Sequence, residues 1–264
     1  FMPFPNLIFI GISFCVQFLN TCIRCFRFHL FVKENLFPKG LYCSAFQNML
    51  NHFLPFRIGD LSIIYLLKKF SGISYKKTLK LFVLQRLWDV FTFLWISIAA
   101  YVFKFHDCYY DPFLILSFFV ALILAPLIAP FLFLFFSNMS LFSSLKNYQW
   151  PELVKLNFYH EGLSLILWSA MYLNFYVLLL AFQINISVLD LIINNIFIIL
   201  SYMLPINTIM NIGTFEFAWK YGYSSTEFAH PLYGMKIHFI LALVAFVQGS
   251  ISLILLKMGK KDDC

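Results

Sequence analysis

The sequence predicts an all-α, polytopic membrane bundle with two oppositely oriented re-entrant helical hairpins, and three observations carry that prediction. Of the 264 residues, 61% are hydrophobic and only 12% charged, where a soluble domain carries about 25% charged residues. Apolar runs recur at the length a spanning helix needs, about 20 residues. Two shorter apolar segments each stop at a Leu-Pro that is followed by a glycine and a carboxylate. Mean hydropathy is +0.82. Such a composition excludes disordered, collagenous and disulfide-rich secreted chains. The 35 phenylalanines say nothing further about function.

Taken in order, the first spanning run is Leu7 to Ile23, and basic residues Arg24 and Arg27 follow it. Leu41 to Leu54 is apolar but too short to cross. Leu79 to Phe103 and Pro112 to Phe136 are clean spans. Gly162 to Phe182 is apolar enough apart from Asn174. Val188 to Leu204 is again short and ends before Pro205, and Lys236 to Leu256 is the last span. The stretch Asn147 to Tyr159, with Trp150, Lys155 and Tyr159, reads as an interfacial segment on the cytoplasmic face.

After Pro55 come Phe56, Arg57, Ile58, Gly59 and Asp60. After Pro205 come Asn207 and then Asn211, Ile212, Gly213, Thr214, Phe215 and Glu216. Irregular backbone at membrane depth is tolerated only where protein or a water-filled cavity satisfies its polar groups. Both segments therefore read as re-entrant. Charge tests the idea. If each hairpin returns to its own side, 14 of the 19 Lys and Arg residues share one side, three lie opposite, and Arg57 and Arg86 stay in the membrane. If Leu41 to Leu54 spanned instead, that bias would collapse, and Lys/Arg asymmetry sets orientation. The net charge of +7 is thus topological and not a nucleic-acid signal. The C-terminus falls on the cytoplasmic side. Two like motifs of opposite orientation predict an inverted repeat within one transmembrane domain, residues 1–264, with halves of about 1–136 and 137–264.

Ionisable groups inside spans are expensive and mark functional sites by default. Arg57 and Asp60 lie at the first break, Arg86 and Asp89 one turn apart on one helix face, and Glu216 after the second break. These five groups are expected to neutralise one another around a shared polar core. On one reading they only lock bent helices together. On the other, Arg57 and Arg86 hold an anionic head group, because a guanidinium meets phosphate bidentately. The helix that starts near Gly59 can add its N-terminal amides.

Weaker candidates have blander readings. His160-Glu161 lacks the second histidine of a zincin and falls where a loop enters a helix. Cys22 and Cys25 form a C-x-x-C without a second pair, short of a zinc site. Asp190 caps a helix or faces water, His52 and His238 read as core histidines, and Asn174 and Asn207 as interhelical hydrogen-bonding residues. No cofactor, metal, phosphate-binding loop or soluble-type catalytic motif is expected.

The stretch Leu54 to Asp60, then Gly72-Ile73-Ser74, then Arg86-Leu87-Trp88-Asp89 resembles the lysylphosphatidylglycerol synthase/flippase transmembrane-domain family. Its pattern is P-x-R-x-G-[ED], G-[IV]-S and an E-R-x-x-D helix. Pro205 with Gly213 to Glu216 is similar to the second family signature. Gln85 stands where the family has Glu, and the second motif lacks the glycine-rich turn. The resemblance implies one further helix before Phe1, and a membrane half without the synthase domain, so that aminoacyl transfer is not implied. It implies translocation of a phospholipid or polyprenyl-linked head group between leaflets of a prokaryotic inner membrane. The site would comprise Arg57, Gly59, Asp60, Arg86, Asp89, Gly213 and Glu216. Competing readings are a proton-coupled transporter of a small solute, an intramembrane enzyme acting on lipid phosphate, and an accessory subunit. A homo-oligomer is left open.

Overall fold

A computed structural model describes residues 5–32, 36–105, 120, 150–203, 208–224, 226 and 228–258. The described elements are all helical. They are α1 (Leu7–Val32), α2 (Lys39–Phe53), a 3-10 turn (Pro55–Arg57), α3 (Ile58–Ser71), α4 (Tyr75–Phe105) and α5 (Trp150–Ala181). After them come α6 (Val188–Met203), a second 3-10 turn (Ile209–Asn211), α7 (Thr214–Gly222) and α8 (Pro231–Met258). The predicted span Pro112 to Phe136, apart from Val120, and Pro205 and Asn207 lie outside the described residues.

Among the described residues, four helices are long and apolar enough to cross a membrane: Leu7–Leu30, Tyr75–Lys104, Asn157–Ala181 and Pro231–Met258. Their exteriors are greasy. Leu94, Ile98, Phe239, Leu243, Ile251 and Ile254 are all exposed, whereas Ser13, Gln17, Asn174, Asn195, His238 and Gln248 are buried. This arrangement inverts that of a soluble protein and suits a lipid solvent. The chain is an integral membrane protein.

The helices are longer than the apolar runs, because polar residues at their ends still favour helix. α5 begins before its apolar run: residues 150–159 continue into the span as one helix. Pro151 does not prevent this, since proline is tolerated in a first turn. His160 and Glu161 consequently lie well inside α5, both buried, and not at its start.

Residues fall into two compact units, Phe1–Thr78 with Ser169–Cys264, and Leu79–Trp168. In the first, α8 is the central strut and packs on α2, α7 and α1. Gln248 in α8 donates to the Phe14 carbonyl at 3.1 Å, and Ser13 donates to Asn174 at 2.6 Å. α2 packs on α3 and α6 on α7, so each short apolar helix lies against the helix that follows its break. In the second unit, α4 and the first part of α5 are joined by Trp88, whose indole N–H donates to Asn157 at 3.3 Å.

Candidate functional site

The first break follows from Pro55. Leu54 is held extended (φ −97°, ψ 142°), as a residue preceding proline is. Phe56 and Arg57 then take left-handed backbone, φ 56° and 54°, which costs a non-glycine residue about 1–2 kcal/mol. The turn starts α3 close against α2. A Cβ on Gly59 would meet the Asn51 amide nitrogen at 2.5 Å, the Gln47 carbonyl oxygen at 2.8 Å and the Asn51 side chain. Glycine is required here for the close approach of α3 to α2.

Asp60 lies in the first turn of α3, where the helix dipole favours a carboxylate. Three donors converge on it. Gln47 Nε2 and Asn51 Nδ2 reach Oδ1 at 3.0 and 2.6 Å, and Arg57 Nε lies 3.2 Å from Oδ2. Asp60 is therefore the knot that ties α2, the turn and α3 together, and it fixes the position of Arg57.

Arg57 in turn lines a cavity of about 110 Å³ between α1, α2, α5, α6 and α8. Its wall includes Gln17, Asn20, Thr21 and Arg24 from α1, and Asn48, Asn51 and His52 from α2. Asn174 and Tyr202 complete the polar lining. Among the described residues no Asp or Glu lines it. Among the described residues, buried polar atoms there have no hydrogen-bond partner: Gln17 Oε1, Asn20 Oδ1, Asn51 Oδ1, His52 Nδ1 and the Tyr202 hydroxyl. Native interiors satisfy such groups with protein, water or ligand.

The second break repeats the first in backbone. Met210 and Asn211 are left-handed, φ 54° and 53°, and the two 3-10 turns touch each other. Gly213 caps α7 at φ 88°. Glu216 stands in the first turn of α7, as Asp60 does in α3, and its Oε2 accepts the Gly213 N–H at 2.6 Å. Its other oxygen faces His238 Nδ1 at 3.4 Å. Glu216 thus pairs with a histidine and not with an arginine. Glu216 and His238 share the wall of a second cavity of about 400 Å³, otherwise formed by apolar side chains such as Met210, Met235 and Phe239. Tyr202 stands between the two cavities, with its ring 5.9 Å from His52, 5.6 Å from Phe215 and 6.5 Å from His238.

Arg86 and Asp89 belong to the other unit. Arg86 lies 3.8 Å from Asp89 and stacks over Phe82 at 5.0 Å. Asp89 Oδ1 accepts Ser164 Oγ at 3.2 Å, and its backbone carbonyl accepts the Trp168 indole N–H at 2.9 Å. Asp89 thus ties α4 to α5, and Arg86 pairs with it on α4.

The sequence profile of the lysylphosphatidylglycerol synthase TM region matches residues 5–235, most of the chain. The chain belongs to this family. No curated protein and no solved structure matches it. As a lysylphosphatidylglycerol synthase TM-region protein, it is a membrane protein of lipid modification or translocation.

Within this family member, the first break brings Arg57, Gly59 and Asp60 together, and Gly213 and Glu216 build the second. Among the described residues Arg57 pairs with Asp60 and Arg86 with Asp89, while Glu216 faces His238, which carries charge only when protonated. Asp190 receives the Ser187 hydroxyl at 2.7 Å and completes the start of α6. Sequence reasoning missed Gln47, Asn51, Tyr202 and Arg24. A signal for Arg24 was present: Gln17, Asn20, Thr21 and Arg24 recur at the i, i+3, i+4, i+7 spacing of one helix face.

Proposed function

We propose that this protein moves a phospholipid or lipid-linked head group between leaflets. The observation that carries the reading is the polar, arginine-lined cavity beside two touching helix breaks, inside a bundle whose exterior is apolar. A head group can sit against Arg57 while the acyl chains remain in the bilayer. In this reading the two breaks are tips of re-entrant hairpins related by an inverted repeat, with halves of about 1–136 and 137–264. The paired left-handed residues and the carboxylate in the following first turn support that relation, because both breaks share them. Arg57 and Arg86 contact phosphate, Asp60 and Asp89 hold those arginines, and Glu216 meets a cationic moiety. Gly59 and Gly213 shape the tips. The C-terminus faces the cytoplasm of a prokaryotic cell, and the membrane is the inner one.

The test is flipping of a fluorescent short-chain phospholipid in proteoliposomes. Arg57→Ala and Arg86→Ala are expected to abolish it in folded protein, and wild-type rates in both would sink the assignment. A second reading, proton-coupled transport of a small solute, draws on the Glu216–His238 pair, two ionisable side chains 3.4 Å apart on a cavity wall. It requires uptake driven by a pH gradient, which lipid flipping does not.

A further inference from the structure

We infer that the amide-walled cavity beside the first break is a sugar site, and that the head group it takes is a lipid-linked sugar. Five described carboxamide side chains line it: Gln17, Asn20, Asn48, Asn51 and Asn174. Helical spacing brings them there, with Gln17, Asn20 and Thr21 on one face of α1 and Asn48, Asn51 and His52 on one face of α2. Two of the amides are partly engaged, since Asn51 Nδ2 donates to Asp60 and Asn174 Oδ1 accepts from Ser13. Three amide oxygens, Gln17 Oε1, Asn20 Oδ1 and Asn51 Oδ1, have no hydrogen-bond partner among the described residues. His52 Nδ1 and the Tyr202 hydroxyl stand in the same wall in the same condition. Gln17 is only 6% exposed, so bulk water does not meet the need of its amide. Native interiors rarely leave such groups unmet, because the loss of hydration is not repaid.

The open positions select the ligand. Amide oxygens accept and never donate, so the group that meets them must carry O–H or N–H donors. A phosphodiester and a choline head group bring none. A primary ammonium donates but accepts nothing, and it leaves the N–H groups of the same amides without an acceptor. A hydroxyl does both, and a ring of hydroxyls does so around its whole edge. The rest of the wall fits the same ligand. Met171, Phe175 and Leu241 lie beside the amides, and a sugar ring is polar at its edge and apolar on its C–H faces. Ligand pockets join apolar walls to a few convergent polar groups in this way. A volume of about 110 Å³ accommodates several waters, or one sugar unit in their place. The inference rests on the translocation reading for the lipid that carries the sugar, though not for the sugar site itself.

The test is titration calorimetry on the full chain in lauryldimethylamine oxide, a detergent without a sugar head group. The probes are glucosyl dihexanoylglycerol, dihexanoylglycerol, dihexanoyl phosphatidylethanolamine and methyl glucoside. The glucosyl lipid is expected to bind saturably and more tightly than either sugar-free lipid, with methyl glucoside competing. Gln17→Met keeps the bulk of the side chain and removes its polar atoms. It should weaken the glucosyl lipid about three- to tenfold, as the loss of one hydrogen bond does, and leave the sugar-free lipids unchanged. Its unfolding temperature should hold or rise, because an unmet buried amide is gone, whereas a purely structural amide requires a fall. Asn20→Leu reads the same wall if Gln17→Met fails to fold. Equal binding of sugar-bearing and sugar-free lipids, or glucosyl-lipid binding indifferent to both substitutions, overturns the inference. Methyl glucoside binding as tightly as the glucosyl lipid keeps the sugar site but overturns the lipid as its carrier. Flipping of a fluorescent glucosyl lipid and of fluorescent phosphatidylethanolamine is recorded in parallel. Amide-dependent sugar binding with neither lipid flipped overturns the translocation reading and leaves the sugar site standing. Equal flipping of both lipids, in wild type and in Gln17→Met alike, does the reverse.

Discussion

Asn51 Nδ2 lies 2.6 Å from Asp60 Oδ1, across a break that separates the two residues by only nine positions. Together with Gln47 and Arg57, it makes Asp60 a four-residue knot. Asp60→Ala takes this acceptor from a half-buried guanidinium and two amides, a loss of about 1–3 kcal/mol. Asp60→Asn keeps one acceptor and is expected to lose less. The unfolding temperatures of the two variants, read by intrinsic fluorescence in detergent, should order wild type above Asn above Ala.

Gly59→Ala places a methyl group against the α2 backbone at Asn51 and Gln47. Neither atom belongs to a flexible side-chain end, so α3 must move. About 1–3 kcal/mol of stability should go, as for other overpacked sites. Gly162→Ala, where the space is open, should change little in the same assay.

Glu216 does two things that substitution can separate. Its Oε2 caps α7 through Gly213, and its Oε1 faces His238. Glu216→Ala loses both and about 1 kcal/mol of helix stability. Glu216→Gln retains an acceptor for the cap and loses the charge. If the charge serves transport, the Gln variant keeps the wild-type unfolding temperature while flipping stops. Flipping at the wild-type rate would restrict Glu216 to capping.

Trp168→Phe removes the indole N–H that reaches the Asp89 carbonyl at 2.9 Å but keeps ring packing against Phe93. A loss of about 1 kcal/mol is expected, seen as a modest fall in unfolding temperature.

Orientation is open to direct measurement. With the six native cysteines replaced, Lys39→Cys and Lys76→Cys should react with a membrane-impermeant maleimide from the same side. Labelling from opposite sides would mean that the segment between them crosses the bilayer, and the re-entrant reading would fall.

Much of this was legible before any coordinates. The end of α2 at Phe53 follows from Pro55, and Gly59 and Asp60 stand out because a glycine and a charge are both anomalous in an apolar stretch. The partners of Asp60 were not legible. Gln47 and Asn51 reach it only because the break folds α3 back on α2, and nothing in their spacing encodes that contact. The place of Arg24 in a cavity lining was not legible for a different reason. Counting basic residues by side treats a helix-end arginine as loop charge, whereas the four-residue polar face it terminates points inward. The Glu216–His238 pair joins residues 22 apart on separate helices, so no local pattern announces it.

The contact between the two 3-10 turns also bears on how the protein is made. Phe56 and Arg57 leave the ribosome about 150 residues before Met210 and Asn211 do. At ordinary elongation rates that is an interval of roughly 8–30 s. During it the first turn has no second turn to lean on, and the arginine and its surrounding amides must be kept wet or sheltered. The nascent chain is therefore expected to depend on the insertion machinery longest at its first break, and to release from it only once α7 and α8 have arrived.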